Sequence, residues 1–215
     1  MIDLHTHSLY SDGELIPSEL VRRLEDMGYS SVAITDHVDS SNLDFVVSRL
    51  VKAAKDLNHN QSVRVIPGAE ITHVPPELIG PLVKQARDLG AKIVVVHGET
   101  IVEPVAPGTN RAAILSGVDI LAHPGLITVE DAKLAAEKGV YLEISARRGH
   151  SFTNGHVAAM AREYGAKLVL NSDAHSPRDL VTRQFARMVA HGAGLGKDAL
   201  DEMLGNSQEI IKKIP

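Results

Sequence analysis

At 215 residues, with 44% hydrophobic and 23% charged residues, the chain has ordinary globular composition, which excludes disordered, collagen-like and low-complexity architectures. A formal net charge of −5 and only 3% aromatic residues argue against a phosphate-backbone interface or a base-stacking platform, so nucleic acid is expected only as a short substrate. The lack of cysteine removes disulfides, thiolate ligands and a cysteine nucleophile, and no apolar run nears the roughly 20 residues of a membrane span. Met1-Ile2-Asp3-Leu4-His5 lacks the start of a signal peptide, so one cytoplasmic domain over 1–215 with no membrane partner is expected.

In chain order, a short β-branched run at Ile2–His5 leads to a helix over Pro17–Met27. There Pro17 stands near the first helical position, Leu20, Val21 and Leu24 share a face, and Gly28 ends the helix. Strand Ser31–Thr35 precedes helix Leu43–Leu57, and strand Val63–Pro67 precedes helix Glu77–Leu89. Strand Ala91–Val96 is followed by the long loop Gly98–Gly108 and helix Thr109–Leu115. Strands Asp119–Ala122, Val140–Ile144 and Lys167–Leu170 alternate with helices Thr128–Lys138, Asn154–Tyr164 and Pro177–Ala190. Asp198–Leu204 and Ser207–Lys213 complete the set as helices covering the sheet. The strands are nearly continuously apolar, as in parallel sheets buried on both faces. Either an open doubly wound sheet or a closed barrel would satisfy this alternation. No G-x-G-x-x-G turn follows any strand, which weakens the dinucleotide-binding form of the open sheet.

The polar residues favour the barrel. His5-Thr6-His7 with Asp12, Thr35-Asp36-His37, Glu70, His97-Gly98-Glu99, His123, Glu143 and Asp173-Ala174-His175 all fall at or just past the C-terminal ends of the runs. That is the end where (β/α) barrels build their active sites. A single histidine there is ordinarily a hydrogen-bonded core residue, but in-phase placement on every strand indicates a shared site. His-x-His on a strand projects both imidazoles to one face. His5, His7, His37, His97, His123 and His175 with Asp12, Glu70 and Asp173 make nine candidate metal donors. One zinc takes about four, so the set points to two or three divalent ions. The three carboxylates offset only part of that charge, leaving a cationic site suited to phosphate and to metal-assisted phosphoester hydrolysis.

Together these motifs, with Ser11-Asp12-Gly13, Gly68-Ala69-Glu70, Leu121-Ala122-His123-Pro124 and Asn171-Ser172-Asp173, resemble the PHP (polymerase and histidinol phosphatase) family along essentially the whole chain. The resemblance implies an α/β fold, a distorted (β/α)7 TIM-like barrel, with a metal cluster, usually trinuclear, at its C-terminal face. It further implies a first metal on His5, His7, Glu70 and Asp173, a second on His97 and His123 with Glu70 bridging, and a third on Asp12, His37 and His175. Some relatives carry His where Asp12 stands, and Zn, Mn and Fe all suit such donors.

Around this set, Arg147 and Arg148 after the sixth strand and Arg111 near Thr109 are candidate phosphate-binding residues. Thr109 is a candidate helix cap whose neighbouring N–H groups face an anion, and Glu103 in the 98–108 loop marks a lid or pocket wall. His150 is the candidate leaving-group acid beside a metal-activated water. Asp36 and Glu143 are candidates for orienting donor imidazoles, Glu99 shares the His97 face, and His59, His73 and His191 read as peripheral. The expected reaction is hydrolysis of a small, histidinol-phosphate-like monoester by a metal-activated hydroxide. A nucleotide or nucleic-acid phosphodiesterase, or a 3′–5′ exonuclease of PHP type, is the alternative. A non-catalytic binding barrel, such as the family's protein component of RNase P, is the third reading, and the full donor set argues against it.

Overall fold

The computed structural model describes residues 1–214. Its strands are β1 (Ile2–Asp3), β2 (Ser31–Ile34), β3 (His37–Val38), β4 (Arg64–Ile71), β5 (Ile93–His97), β6 (Ile120–Ala122), β7 (Tyr141–Ser145) and β8 (Leu168–Asn171). All pairings are parallel, in the order β1-β2-β4-β5-β6-β7-β8, with β3 also pairing β4. The first and last strands meet just beyond their ends. Thr6 bridges Ala174, the His7 amide donates to Ala174 O at 2.9 Å, and the Asp173 amide donates to His5 O at 3.0 Å. The expected α/β, TIM-like barrel is therefore present, nearly closed around seven strand positions.

The helices are α1 (Pro17–Asp26), α2 (Leu43–Asn60), α3 (Pro76–Asp88), α4 (Thr109–Leu115), α5 (Val129–Lys138), α6 (Asn154–Tyr164), α7 (Arg183–Gly192) and α8 (Ala199–Lys212). Their apolar faces pack on the outside of the strands in one continuous layer, where Leu20, Leu24, Leu50, Ile79 and Ile114 are buried. Inside the barrel lies a second apolar cluster built from Ile2, Leu4, Ile66, Ile93, Val95, Ile120, Tyr141 and Val169. Among the described residues no helix is long and apolar enough to cross a membrane.

Period two along the strands connects this apolar plug to the polar end. Ile93 and Val95 face inward and His97 follows them in phase; Tyr141 precedes Glu143 in the same way, and Val169 precedes Asn171. The polar side chains thus occupy the C-terminal mouth while α8 closes the opposite one, burying Ile210 and Ile211 against the plug.

Three elements differ from the sequence expectation. The third predicted strand continues from Pro67 to Ile71, pairing β2 with its first half and β3 with its second. Glu70 therefore lies within a strand, directly opposite His37. The last barrel helix begins at Arg183 and not at Pro177, because Asp179 accepts from the amides of His175 and Ser176 and folds that segment into a turn. Thr182 then caps the helix by accepting from the Phe185 amide. The two expected C-terminal helices are one, running unbroken through Gly205. Replacing Ile211 by Ala removes a buried side chain that seals the barrel floor. Urea denaturation should show a loss of about 2–5 kcal/mol, and an unchanged midpoint would refute this role for α8.

Candidate metal centre

All nine expected donors converge at the C-terminal mouth. His5 and His7 flank the Thr6 bridge and project to one side, with ring centroids 5.0 Å apart, while Thr6 Oγ1 donates to Ala33 O on the other. The β3–β4 register brings His37 Nδ1 to 2.7 Å from Glu70 Oε2. Glu70 Oε1 lies 3.3 Å from His5 Nε2 and 3.6 Å from His123 Nε2. Asp173 Oδ1 lies 3.3 Å from His7 Nε2, and its Oδ2 is 3.6 Å from His123 Nε2. At the mouth, Asp12 Oδ1 is 3.1 Å from His175 Nε2 and 3.5 Å from His37 Nε2.

Donor atoms gather within 4.8 Å of one another in three sets drawn from the nine: His5, His7 and Glu70; His5, His123 and Asp173; and His7, Asp12, His37 and His175. Two further sets add residues not expected as donors: His150 beside His97 and His123, and His73 and Glu103 beside His97. The inner atoms are largely without partners. His5 Nε2, both nitrogens of His7 and the Nδ1 atoms of His97 and His123 are buried without a hydrogen bond among the described residues. Both oxygens of Glu70 also lack a well-formed one despite the nearby His37. Buried polar atoms are ordinarily satisfied. Imidazole nitrogens and carboxylate oxygens left facing one another at 3–4 Å fit divalent cations between them.

The electrostatics agree with that fit. Burial alone would raise Glu70 and Asp173, yet His5 and His37 beside the first, and His5 and His7 beside the second, hold both carboxylates far down. Burial pushes the His7 imidazole down to about 3, with Asp173 opposing it only partly, so His7 is held neutral near pH 7, the form in which an imidazole can take a metal. His5 is driven the other way, because Glu143, Glu70 and Asp173 outweigh its burial.

A second layer fixes the donors. Glu143 Oε1 accepts from His5 Nδ1 and from Asn171 Nδ2, each at 2.8 Å, while its Oε2 accepts from the His123 amide at 3.2 Å. Asn171 Oδ1 in turn accepts from the Leu4 amide at 2.9 Å, which ties the barrel seam to the site. Asp36 takes the Ser8 amide and hydroxyl at 2.8 and 2.7 Å and the Ser11 amide and hydroxyl at 3.1 and 2.7 Å, fastening the loop that carries Asp12. His123 and Asp173 both adopt left-handed backbone, with φ of 26° and 52°. Such strain in residues other than glycine concentrates at functional sites. Gly125, with φ of 63°, lets the loop after β6 lie against the Glu99 carbonyl, where a Cβ would come within 1.8 Å.

The surrounding candidates divide. Arg147 lines the cavity, donating to Asp173 O at 3.1 Å and contacting His175 Nδ1. Arg148 is exposed outside it. Arg111 turns outward to Asp131 Oδ1 at 3.1 Å on α5, so the structure does not bring it to the site. The anion at the start of α4 is the chain's own Glu99, whose Oε1 accepts from the Gly108 and Asn110 amides; Gly108, not Thr109, is the cap. His150 lines the cavity and is held in place. Its Nδ1 meets Thr100 Oγ1 at 2.9 Å, its ring stacks on His123 at 4.0 Å, and burial with His123 pushes it down to about 4. His73, expected at the periphery, lines the cavity 3.0 Å from Glu103, and the neighbouring imidazoles hold Glu103 down to about 2. His59 and His191 lie outside the cavity lining.

A (β/α) barrel whose open end gathers unpartnered imidazoles and carboxylates carries a candidate divalent-metal centre where such barrels place their active sites. The PHP domain model matches residues 3–97. An uncharacterised protein of Methanocaldococcus jannaschii is 48% identical over 99% of both chains. Ribonuclease P protein component 3 of Methanosarcina mazei is 31% identical over 94% of this chain and 85% of its own. The crystal structure of histidinol phosphate phosphatase from Lactococcus lactis, complexed with zinc, L-histidinol and phosphate, matches with a TM-score of 0.63 at 15% identity, covering 91% of this chain and 94% of that one. The chain belongs to the PHP family, whose catalytic members are metal-dependent hydrolases.

Cations that bind the folded chain stabilise it by mass action, by about 2.7 kcal/mol at a hundredfold excess over Kd. Zinc or manganese should therefore raise the Tm of chelator-treated protein, and His5→Ala with His7→Ala should make the rise smaller. An equal rise in that double variant would place the metals elsewhere.

Proposed function

We propose that this chain is a phosphoesterase that hydrolyses a small, histidinol-phosphate-like monoester at a centre of two or three divalent ions. The observation that carries this reading is the set of nine donors at the barrel mouth, six of which line a cavity of about 420 Å³, a size suited to a small molecule. His5, His7, Glu70 and Asp173 would hold one ion, His97 and His123 a second, and Asp12, His37 and His175 a third. Such ions supply Lewis-acid polarisation of phosphoryl oxygens and an acidified water at neutral pH.

The chain's own residues do the rest. Glu143 keeps the His5 ring aimed inward through its Nδ1, and Thr72 Oγ1 does the same for His37 Nδ1 at 2.8 Å. Arg147 stands over Asp173 and His175, where its guanidinium can take a phosphoryl oxygen. Asp39, which lines the cavity and is not among the metal donors, offers a negative charge to a leaving group carrying an ammonium. Solvent reaches the cavity mouth and can supply the leaving-group proton, so the buried His150 need not. The zinc, L-histidinol and phosphate bound by the Lactococcus lactis enzyme support this substrate class. A second reading, a protein component of a larger enzyme, draws on the Methanosarcina mazei relative. Such a role has no need of nine intact donors.

Phosphate release from histidinol phosphate by metal-loaded protein should exceed a kcat/KM of about 10⁴ M⁻¹s⁻¹. His97→Ala with His123→Ala should lower it at least about 100-fold. Arg147→Ala should cost about 10- to 100-fold, the worth of a charge-assisted hydrogen bond, while Arg148→Ala stays within about twofold. Wild-type turnover in the His97, His123 double variant would overturn the assignment. Turnover of nucleotides or short single strands in place of histidinol phosphate would keep the hydrolase and replace its substrate.

A further inference from the structure

On one side of the cavity three imidazoles converge that the nine-donor partition does not account for as a group. The rings of His97 and His123 are 4.5 Å apart, His123 and His150 stack at 4.0 Å, and His97 and His150 are 5.8 Å apart. All three residues are buried, and each offers a nitrogen within 4.8 Å of the other two. Thr100 occupies His150 Nδ1, which leaves Nε2 facing the cavity, 3.5 Å from Glu103 Oε1 and 3.8 Å from Asp173 Oδ2.

Glu103 comes from the loop between β5 and α4. Its Oε2 lies 3.0 Å from both His97 Nε2 and His73 Nε2, so a single carboxylate reaches three imidazoles. The loop is fastened at its two ends, where Glu99 accepts from the Gly108 and Asn110 amides and Asn110 Oδ1 accepts from the Glu99 amide. Between those anchors Ile101 and Val102 are exposed while Glu103 turns inward. His73 meets it from backbone in the left-handed region, with φ of 54°. A solvated loop charge would need none of this. Three imidazoles with nitrogens within 4.8 Å of one another, and a carboxylate whose oxygens lie 3.0 Å from His97 and 3.5 Å from His150, supply the four donors that zinc takes.

Building on the metal-centre reading, we propose that His150 and Glu103 complete, with His97 and His123, a divalent-cation subsite whose fourth donor is carried by the β5–α4 loop. Four protein donors close a zinc site, whereas catalytic sites keep one position open. Glu103 is therefore the displaceable donor. His73, 3.0 Å from the same oxygen, is placed to receive the carboxylate when a phosphate ester takes its position.

The test is zinc binding by the full-length, chelator-treated chain, measured against a competing chelator, with hydrogen exchange of residues 101–105 as the second readout. Wild-type protein is compared with Glu103→Gln, His150→Gln and His97→Ala. Glu103 is half-exposed on a loop, so Glu103→Gln is expected to fold as the wild type does. The expected result is that Glu103→Gln and His150→Gln each need at least about tenfold more free zinc to fill this subsite. Zinc should slow exchange in the loop of the wild type and not in Glu103→Gln. If Glu103→Gln fills at the wild-type zinc concentration and its loop responds to zinc as the wild type does, while His97→Ala is weakened, the loop-borne donor is overturned and the metal centre stands. If His97→Ala also binds as the wild type does, the metal reading beneath it falls as well.

Discussion

Burying many imidazoles and carboxylates in one cavity strips water from groups that have few partners of their own. Histidine nitrogens that cannot all be protonated beside one another, and carboxylates that cannot all be paired, gain a common solution when cations lie between them. In this chain the conflict shows directly. His7 is forced neutral while His5, two residues away, is driven toward its charged form, and both oxygens of Glu70 stay without a good hydrogen bond. The rest of the molecule is arranged to hold that conflict in place.

Holding it takes a rigid frame. The apolar plug and α8 fill the lower barrel, so the strand ends cannot collapse inward. Above the plug, Glu143 and Asn171 connect the seam of the barrel to His5 and His123, and Asp36 clamps the loop of Asp12 through two serines. The left-handed backbone of His123 and Asp173 costs about 1–3 kcal/mol per residue. The cost falls on two of the donors that meet in the centre of the site. The strain thus falls where the candidate donors converge.

Much of this was legible in the sequence because both signals involved are periodic. Short apolar runs alternating with amphipathic segments pointed to a parallel α/β sheet, and donors at the ends of those runs favoured the barrel and marked the face on which they meet. The extension of β4 was hidden because Pro67 and Gly68 look like a strand end, yet they sit inside a strand that changes partner from β2 to β3. Pro177 looked like a helix start, but the Asp179 side chain holds the preceding amides in a turn. Arg111 looked free until α5 placed Asp131 beside it. Glu103 and His73 lie in loops, where no period links them to the donors they approach. The one sign was a lone carboxylate among Val102, Pro104 and Val105.

Anomalous diffraction at the zinc absorption edge, from crystals of the full chain grown with zinc, tests the central claim most directly. The account predicts two or three peaks within the cavity, among His5, His7 and Glu70, beside His97 and His123, and between Asp12 and His175. A map whose zinc peaks lie only on the protein surface, with none among these side chains, would contradict it.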